Sequence, residues 1–192
     1  MTSSSGEARM TPEESAAALL DAYGLSELQD PPIPVDELAE EAEGLDVQEH
    51  PDLSTLPGVP PELAATTLSG LLFPIDKRIW VAALEAARSS GRRRFTIAHE
   101  IGHWRLHHRG QARGRAVFCR PDEVDGGQGA AKKVEAEANR FAAALLMPGH
   151  LLRVEAEECR LNVGLLARRF EVSQAAMHVR LTALDLLPEY MR

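Results

Sequence analysis

The stretch of sequence that decides the fold is RFTIAHEIGH, residues 94–103, because it places three reactive side chains at helical spacing. His99 and His103 are four residues apart, so on a helix they lie one above the other on the same face. Two imidazoles placed in this way can bind one divalent ion, usually zinc, which favours nitrogen ligands. Glu100 is displaced by about 100° around the helix. It therefore lies outside the ligand set, where it can take a proton from a water molecule at the metal.

The residues around this HExxH pattern indicate an internal helix. An apolar stripe runs beside the two histidines, which disfavours the alternative of a surface helix with two solvated imidazoles. Gly102 costs roughly 1 kcal/mol of helix propensity relative to alanine. A glycine in a helix interior indicates close backbone approach, here by a strand or a substrate. The stripe consists of Phe95, Ala98, Ile101, Gly102 and Leu106.

Composition excludes several classes of protein. The 192 residues include 21 basic and 29 acidic side chains, for a formal net charge of -8, which argues against direct binding of nucleic-acid phosphates. No apolar run approaches the roughly 20 residues of a membrane span. Residues 1–10 lack the apolar core of a signal peptide, so we expect a disordered tail in a cytoplasmic protein. Cys119 and Cys159 have no CxxC spacing, which fits a reducing compartment.

Signals for helices and strands alternate around the motif helix, which we predict over Arg92–His107. Thr11, Pro12 and Glu14 form a helix-start signal with a capping box. Two runs of β-forming residues, 67–73 and 78–82, predict a hairpin. The remaining predicted elements are a helix at 35–43, a short strand at 45–49, a loop at 51–61, and helices at 131–147, 150–159, 162–171 and 173–187.

These elements predict an α+β fold in a single domain, residues 11–192. A small sheet, made of the hairpin and short strands, packs on a mostly helical body. Residues 109–130 are rich in glycine and charge and are expected to form a mobile loop in which only residues 116–119 look ordered. Residues 160–188 resemble a helix-turn-helix but are assigned to the same body. The strand at Ile79–Ala82 is expected to offer a free edge for an extended peptide.

A third metal ligand is expected from the helix at residues 131–147, because a catalytic zinc site needs three protein ligands and one open position. Glu135 and Glu137 flank the apolar stripe of that helix on opposite sides. Helical phase favours Glu135, because it stacks under Asn139 one turn later. Asn139 could then hydrogen-bond to the ligand carboxylate or to a ligand histidine. In the alternative interpretation both glutamates are solvated.

Two blocks of sequence together resemble the ImmA/IrrE family of metallo-endopeptidases: residues 94–107, which contain the motif, and residues 135–148, EAEANRFAAALLMP. The likeness extends to residues 32–39, 68–70, 166–173 and 177–181, and so covers nearly everything after residue 12. It implies a small α+β, zincin-like fold with a twisted sheet beside the HExxH helix, and one Zn²⁺ per chain. It also implies cleavage of a helix-turn-helix repressor, which would derepress stress-response or mobile-element genes.

The sequence departs from the family in two places. Family members often carry asparagine at the last position of the second hairpin strand, where this chain has Ala82, so substrate contacts at that strand are expected to differ. No sensory domain follows residue 192, and regulation by such a domain is not expected.

Two further residues near the motif could contact the metal. His107 lies one turn beyond His103, but a helix rises roughly 6 Å over that turn, which makes three consecutive ligands from one straight helix geometrically poor. We therefore assign His107 a supporting role. The thiolate of Cys119 could occupy the open metal position and hold the site latent. The alternative is that Cys119 is a small apolar residue.

Two other classes of function compete with a peptidase. The helix-turn-helix-like segment, with His178 and Arg180 on its second helix, fits a DNA-binding regulator, although the chain is acidic and Asp185 follows. A protein-interaction module with a structural zinc site is the other possibility. Glu100 argues against it, because a structural zinc site needs no glutamate at that position, whereas a hydrolytic site does. His178, Arg180 and Tyr190 are candidates for stabilising an oxyanion. The sequence does not determine the oligomeric state.

Overall fold

The computed structural model of the chain describes residues 10–27, 30–60, 68–108, 117–119 and 130–189. It confirms the α+β class: a four-stranded sheet accompanies a mostly helical body. The expected disordered tail lies outside the described residues except for Met10. The expected mobile loop also lies outside them, apart from the strand at Val117–Cys119 and the residue Ala130 at its end. The helices are α1 (Pro12–Ala22), α2 (Val35–Glu37), α3 (Ala83–Arg88), α4 (Ser90–His103), α5 (Ala130–Leu146), α6 (Gly149–Glu158), α7 (Val163–Arg169) and α8 (Gln174–Ala183).

The sheet contains β1 (Asp46–His50), β2 (Gly70–Phe73), β3 (Arg78–Ala82) and β4 (Val117–Cys119), in the order β1-β3-β2-β4. The predicted hairpin is β2 and β3, paired antiparallel with Gly70 opposite Val81. β1 pairs parallel with β3, and β4 pairs antiparallel with β2. The prediction of a free edge at Ile79–Ala82 is therefore wrong, because β3 has a neighbour on each side. Within the described residues the edge strands are β1 and β4.

Helix α4 lies in the centre of the core, between the sheet and helix α5. Ile97, Ala98 and Ile101 are completely buried. On the α5 side, a Cβ added at Gly102 would lie 3.2 Å from both the Cα and the carbonyl oxygen of Ala138. The close approach predicted at Gly102 is thus made by a helix, and not by a strand or a substrate. The tight packing fixes the two central helices against each other.

The motif helix changes character directly after His103. Residues Trp104–His108 form a π-helical turn, where a continuous α-helix to His107 was predicted. Glu43, at the end of the π-helical turn Leu38–Ala42, accepts a hydrogen bond of 3.0 Å from the indole Nε1 of Trp104. The Glu43 carboxylate also pairs with Arg105. A contact between residues 61 positions apart in sequence therefore stabilises the irregular turn.

The C-terminal helices pack against the same core. The two helices of the helix-turn-helix-like segment, α7 and α8, have the predicted order and nearly the predicted bounds. The guanidinium of Arg180 on α8 is buried, and its Nε donates a hydrogen bond of 3.1 Å to the carbonyl oxygen of Met147. Arg180 thereby ties α8 to the end of α5, and it is not displayed to solvent as a recognition-helix arginine would be. No helix among the described residues is long and apolar enough to cross a membrane.

Candidate metal centre

Two helices, α4 and α5, bring together the three residues that the sequence proposes as metal ligands. His99 and His103 are separated by one turn of α4, and their Nε2 atoms are 2.9 Å apart. Glu135 reaches them from α5, with Oε2 at 3.2 Å from His99 Nε2 and Oε1 at 3.2 Å from His103 Nε2. Within the described residues this is the group of three side chains that could hold a metal ion.

The donor set fits zinc. Two imidazole nitrogens and one carboxylate are a ligand set that zinc takes in catalytic sites, with one position left open. Around a tetrahedral zinc ion with bonds of about 2.0–2.1 Å, neighbouring ligand atoms lie about 3.3 Å apart. The separations of 2.9 and 3.2 Å are close to this value. The three side chains therefore need only small movements to hold the ion.

Glu137, the alternative third ligand, lies on another side of α5. Its Oε2 is 3.6 Å from Nε2 of His107, and its Oε1 is 4.0 Å from the ammonium of Lys133. The structure thus pairs Glu137 with His107 and not with His99 and His103. His107 is also outside the cluster: its ring centroid is 6.0 Å from that of His103, and its Nε2 lies against Glu137.

Asn139 lies where the sequence places a residue that supports a ligand. Its Oδ1 is 2.9 Å from Nδ1 of His99. An amide oxygen can only accept a hydrogen bond, so Nδ1 of His99 carries the proton and Nε2 offers its lone pair to the centre. Such a partner fixes both the tautomer and the orientation of the ring. By contrast, Nδ1 of His103 is buried and has no hydrogen-bond partner among the described residues.

Glu100 is completely buried, and neither of its carboxylate oxygens has a hydrogen-bond partner among the described residues. Removing an unpaired carboxylate from water is costly, and it favours the protonated form. Burial raises the pKa of Glu100 to about 8, an effect that nearby Glu135 reinforces and His99 opposes. A carboxyl group whose pKa is raised towards the operating pH can both take up and release a proton, as general acid–base catalysis needs.

The two ligand types are shifted in the directions that favour cation binding. Burial lowers the pKa of His103 to about 4, although its hydrogen bond to Glu135 opposes the shift. Burial by itself would raise the pKa of Glu135, but the adjacent imidazoles of His103 and His99 outweigh it and lower the pKa to about 2. A neutral His103 and an ionised Glu135 are the forms that bind metals.

The remaining candidate residues have different outcomes. The side chain of Cys119 and the whole of Tyr190 lie outside the described residues. That the Cys119 thiolate occupies the open metal position therefore stays a prediction. Nε of Arg180 donates a hydrogen bond to the carbonyl oxygen of Met147, and its role in stabilising an oxyanion stays a prediction. Sequence reasoning missed Gly70, where an added Cβ would lie within 3.0 Å of the side chains of Thr96 and Glu100. A glycine inside a predicted strand was the available signal, because it indicates close approach by another group.

Comparisons with known proteins agree with this geometry. A family profile described as the IrrE N-terminal-like domain, Peptidase M78, matches residues 40–182. No curated protein matches the chain. Among solved structures, the chain is similar to a Mycobacterium tuberculosis transcriptional regulator, with 23% identity and a TM-score of 0.58. That match covers 88% of this chain and 47% of the regulator, so the chain spans about half the length of its solved relative.

The family profile covers about three quarters of the chain and includes both histidines, Glu100 and Glu135. The solved relative, at its level of identity, supports the fold alone. With the profile match and the His-His-Glu cluster taken together, the chain belongs to the Peptidase M78 family, whose domain is described as IrrE N-terminal-like.

Proposed function

We propose that the protein is a zinc-dependent endopeptidase that cleaves a helix-turn-helix transcriptional repressor in the cytoplasm and so derepresses stress-response or mobile-element genes. The observation that carries the proposal is Glu100, a buried carboxylate without a hydrogen-bond partner among the described residues, next to a His-His-Glu cluster. A structural zinc site has no use for such a group. A hydrolytic site needs it as a general base.

His99, His103 and Glu135 would hold the ion, and Asn139 would orient His99 through its hydrogen bond. When bound, zinc supplies Lewis-acid polarisation of the scissile carbonyl and acidifies a water molecule. Glu100 accepts the proton of the attacking water on its carboxylate and later delivers it to the leaving amine. Its burial excludes bulk water, so the proton is kept for the leaving group.

The form of the site supports an extended segment as substrate. His99, His103 and Glu100 are at most 2% exposed, and the side chain of Glu135 is 17% exposed. A peptide bond within a folded element could not reach ligands at this depth, whereas a flexible linker could. We therefore expect cleavage in a linker of the repressor, outside its DNA-binding helices. The family resemblance supports a repressor as substrate.

The competing function is a DNA-binding or protein-interaction regulator with a structural zinc site. The fold similarity to a protein described as a transcriptional regulator favours it, as do the two helices α7 and α8. Against DNA binding, Arg180 is buried and bonded to Met147, and the chain has a formal net charge of -8. We therefore place this function second.

Incubation of the purified chain with the repressor encoded beside its gene, with and without a zinc chelator, distinguishes the two functions. Mass spectrometry of the products locates any cleaved bond, and the Glu100→Gln variant is the matched inactive control. Cleavage that requires both zinc and Glu100 supports the peptidase. Intact repressor, together with saturable and salt-sensitive binding of the chain to promoter DNA, would support the regulator instead.

A further inference from the structure

Gly70, the first residue of β2, lies directly against the carboxylate of Glu100. We propose that Gly70 is a positioning residue: by lacking a side chain it keeps open the space in which Glu100 meets the reacting groups. The inference deepens the proposed function and rests on it for the role of Glu100. It adds a residue on the sheet to a centre that otherwise consists of residues from α4 and α5.

The space at Gly70 is too small for a methyl group. A Cβ built on its backbone lies 2.4 Å from Cγ2 of Thr96 and 2.9 Å from Oε1 of Glu100. It also lies 3.5 Å from the carbonyl oxygen of Trp80 on the neighbouring strand β3. Real Cβ atoms essentially never approach other atoms to within 3.0 Å, so two of these neighbours would have to move.

The two neighbours differ in how easily they move. Thr96 is buried, and its branched side chain has few rotamers in a helix. The backbone of β2 is held by pairing with β3 on one side and β4 on the other. The carboxylate of Glu100 is the end of a flexible side chain, and no hydrogen bond from a described residue restrains it. A side chain at position 70 would therefore displace the Glu100 carboxylate as well as crowd the methyl group of Thr96, and the carboxylate is the neighbour that moves more easily.

Backbone conformation does not explain the glycine. Among the described glycines, those with a left-handed φ are Gly24, Gly44 and Gly58, whereas Gly70 has strand geometry that any residue can adopt. In a strand, glycine is less favourable than alanine, because it loses more conformational freedom on folding. The lack of a Cβ facing Thr96 and Glu100 is the physical property that sets glycine apart at this position.

Crystal structures of the wild type and the Gly70→Ala variant, both loaded with zinc, test the proposal without an activity assay. Ordinary contact begins at 3.4 Å and the built Cβ lies 2.9 Å from Oε1 of Glu100, so we expect the carboxylate to move by about 0.5 Å or more. A misplaced catalytic group lowers the rate by about 100-fold per ångström. For a displacement of about 0.5 Å we therefore expect kcat to fall by about tenfold, while KM and the zinc content stay at wild-type values.

A double variant separates the contact with Glu100 from general packing. Thr96→Ser removes the methyl group at 2.4 Å and leaves the Glu100 contact at 2.9 Å unchanged. The double variant Gly70→Ala, Thr96→Ser should therefore fold more stably than the single variant and remain impaired in kcat. Gly91→Ala is the matched control, because its Cβ would meet the carbonyl oxygen of Glu171 at 3.0 Å at the opposite end of α4. It should lower stability and leave kcat unchanged.

Each outcome decides the proposal. A displaced Glu100 carboxylate in Gly70→Ala, with zinc retained, supports it. An unmoved carboxylate, or a kcat that Thr96→Ser restores to the wild-type value, overturns it, since Gly70 would then serve packing alone. If the wild type cleaves no substrate, the proposed function fails, but the position of Glu100 in the two crystal structures still decides whether Gly70 positions it.

Discussion

Glu43 and Glu100 are both buried carboxylates, and they differ in whether other side chains bind them. Glu100 belongs to the motif helix, and Glu43 contacts the π-helical turn that continues it. Glu43 is paired with Arg105 and accepts a hydrogen bond from Trp104. Glu100 has no hydrogen-bond partner among the described residues. Donors around Glu43 offset the cost of its burial, whereas Glu100 keeps its capacity to bind a proton. The presence of hydrogen-bond and ion-pair partners thus distinguishes the structural carboxylate, Glu43, from the reactive one, Glu100.

Replacing Glu100 is the strongest way to break this comparison. Because general acid–base groups contribute about 100- to 10 000-fold to rate, Glu100→Gln should lower kcat by a factor in that range. Zinc should remain near one per chain, and the midpoint of thermal unfolding should not fall, since Glu100 makes no hydrogen bond that the variant loses. Kinetic assays, metal analysis and calorimetry check the three expectations. Undiminished cleavage would sink the proposed role, and loss of the metal would make Glu100 a ligand.

Replacing Glu43 should produce the opposite pattern. Glu43→Ala removes the partner of Arg105, whose side chain is 12% exposed, and of the Trp104 indole. Breaking a buried ion pair costs about 3–5 kcal/mol, so the free energy of unfolding in urea should fall by that amount with zinc content unchanged. Glu40→Ala, at an exposed position of the same short helix, is the control and should stay within about 0.5 kcal/mol of wild type. Equal stability of the two variants would contradict the comparison.

The two glutamates on α5, Glu135 and Glu137, allow a second comparison, of their contributions to zinc affinity. Glu135 contacts both His99 and His103, whereas Glu137 contacts His107. Glu135→Ala should weaken zinc binding by more than about 100-fold, because it removes a bond to the ion, and Glu137→Ala by less than about tenfold. Competition with a chromophoric chelator measures both affinities. The reverse order would transfer the ligand role to Glu137.

The smallest expected effect concerns Asn139. Residues that orient a ligand histidine contribute about 10- to 100-fold to metal affinity. Asn139→Ala should therefore weaken zinc binding within that range, because Nδ1 of His99 loses its acceptor at 2.9 Å. Asn139→Asp keeps an acceptor oxygen at the same position and should bind zinc at least as tightly as wild type. Equal affinities for the alanine and aspartate variants would show that the hydrogen bond is irrelevant.

Local signals in the sequence were sufficient for most elements and for the position of the metal cluster. Thr11 and Glu14 form the predicted capping box, because such a cap depends on four consecutive residues. Helical phase similarly selects Glu135, which the structure places against His99 and His103. The ligand spacing is a property of two regular helices, and regular helices can be predicted from short windows.

Features that depend on distant contacts could not be predicted in this way. The neighbour of β3 on its outer side is β1, which lies more than 25 residues earlier and pairs parallel to it. The π-helical turn after His103 depends on contacts with Glu43, about 60 residues away in sequence. The close approach of Gly70 to Glu100 also depends on the packing of the sheet against α4. No short stretch of sequence contains the information for these contacts.

The contact between Gly102 and Ala138 also bears on how the protein would take up a metal ion. Two helices whose backbones approach this closely are fixed against each other, and the three candidate ligands project from both of them. Their spacing is therefore set by helix packing before an ion arrives, in contrast to small zinc domains that fold only around their metal. Zinc could then leave and return while the chain stays folded. The zinc concentration around the protein would then control its activity reversibly, whereas folding would not require zinc.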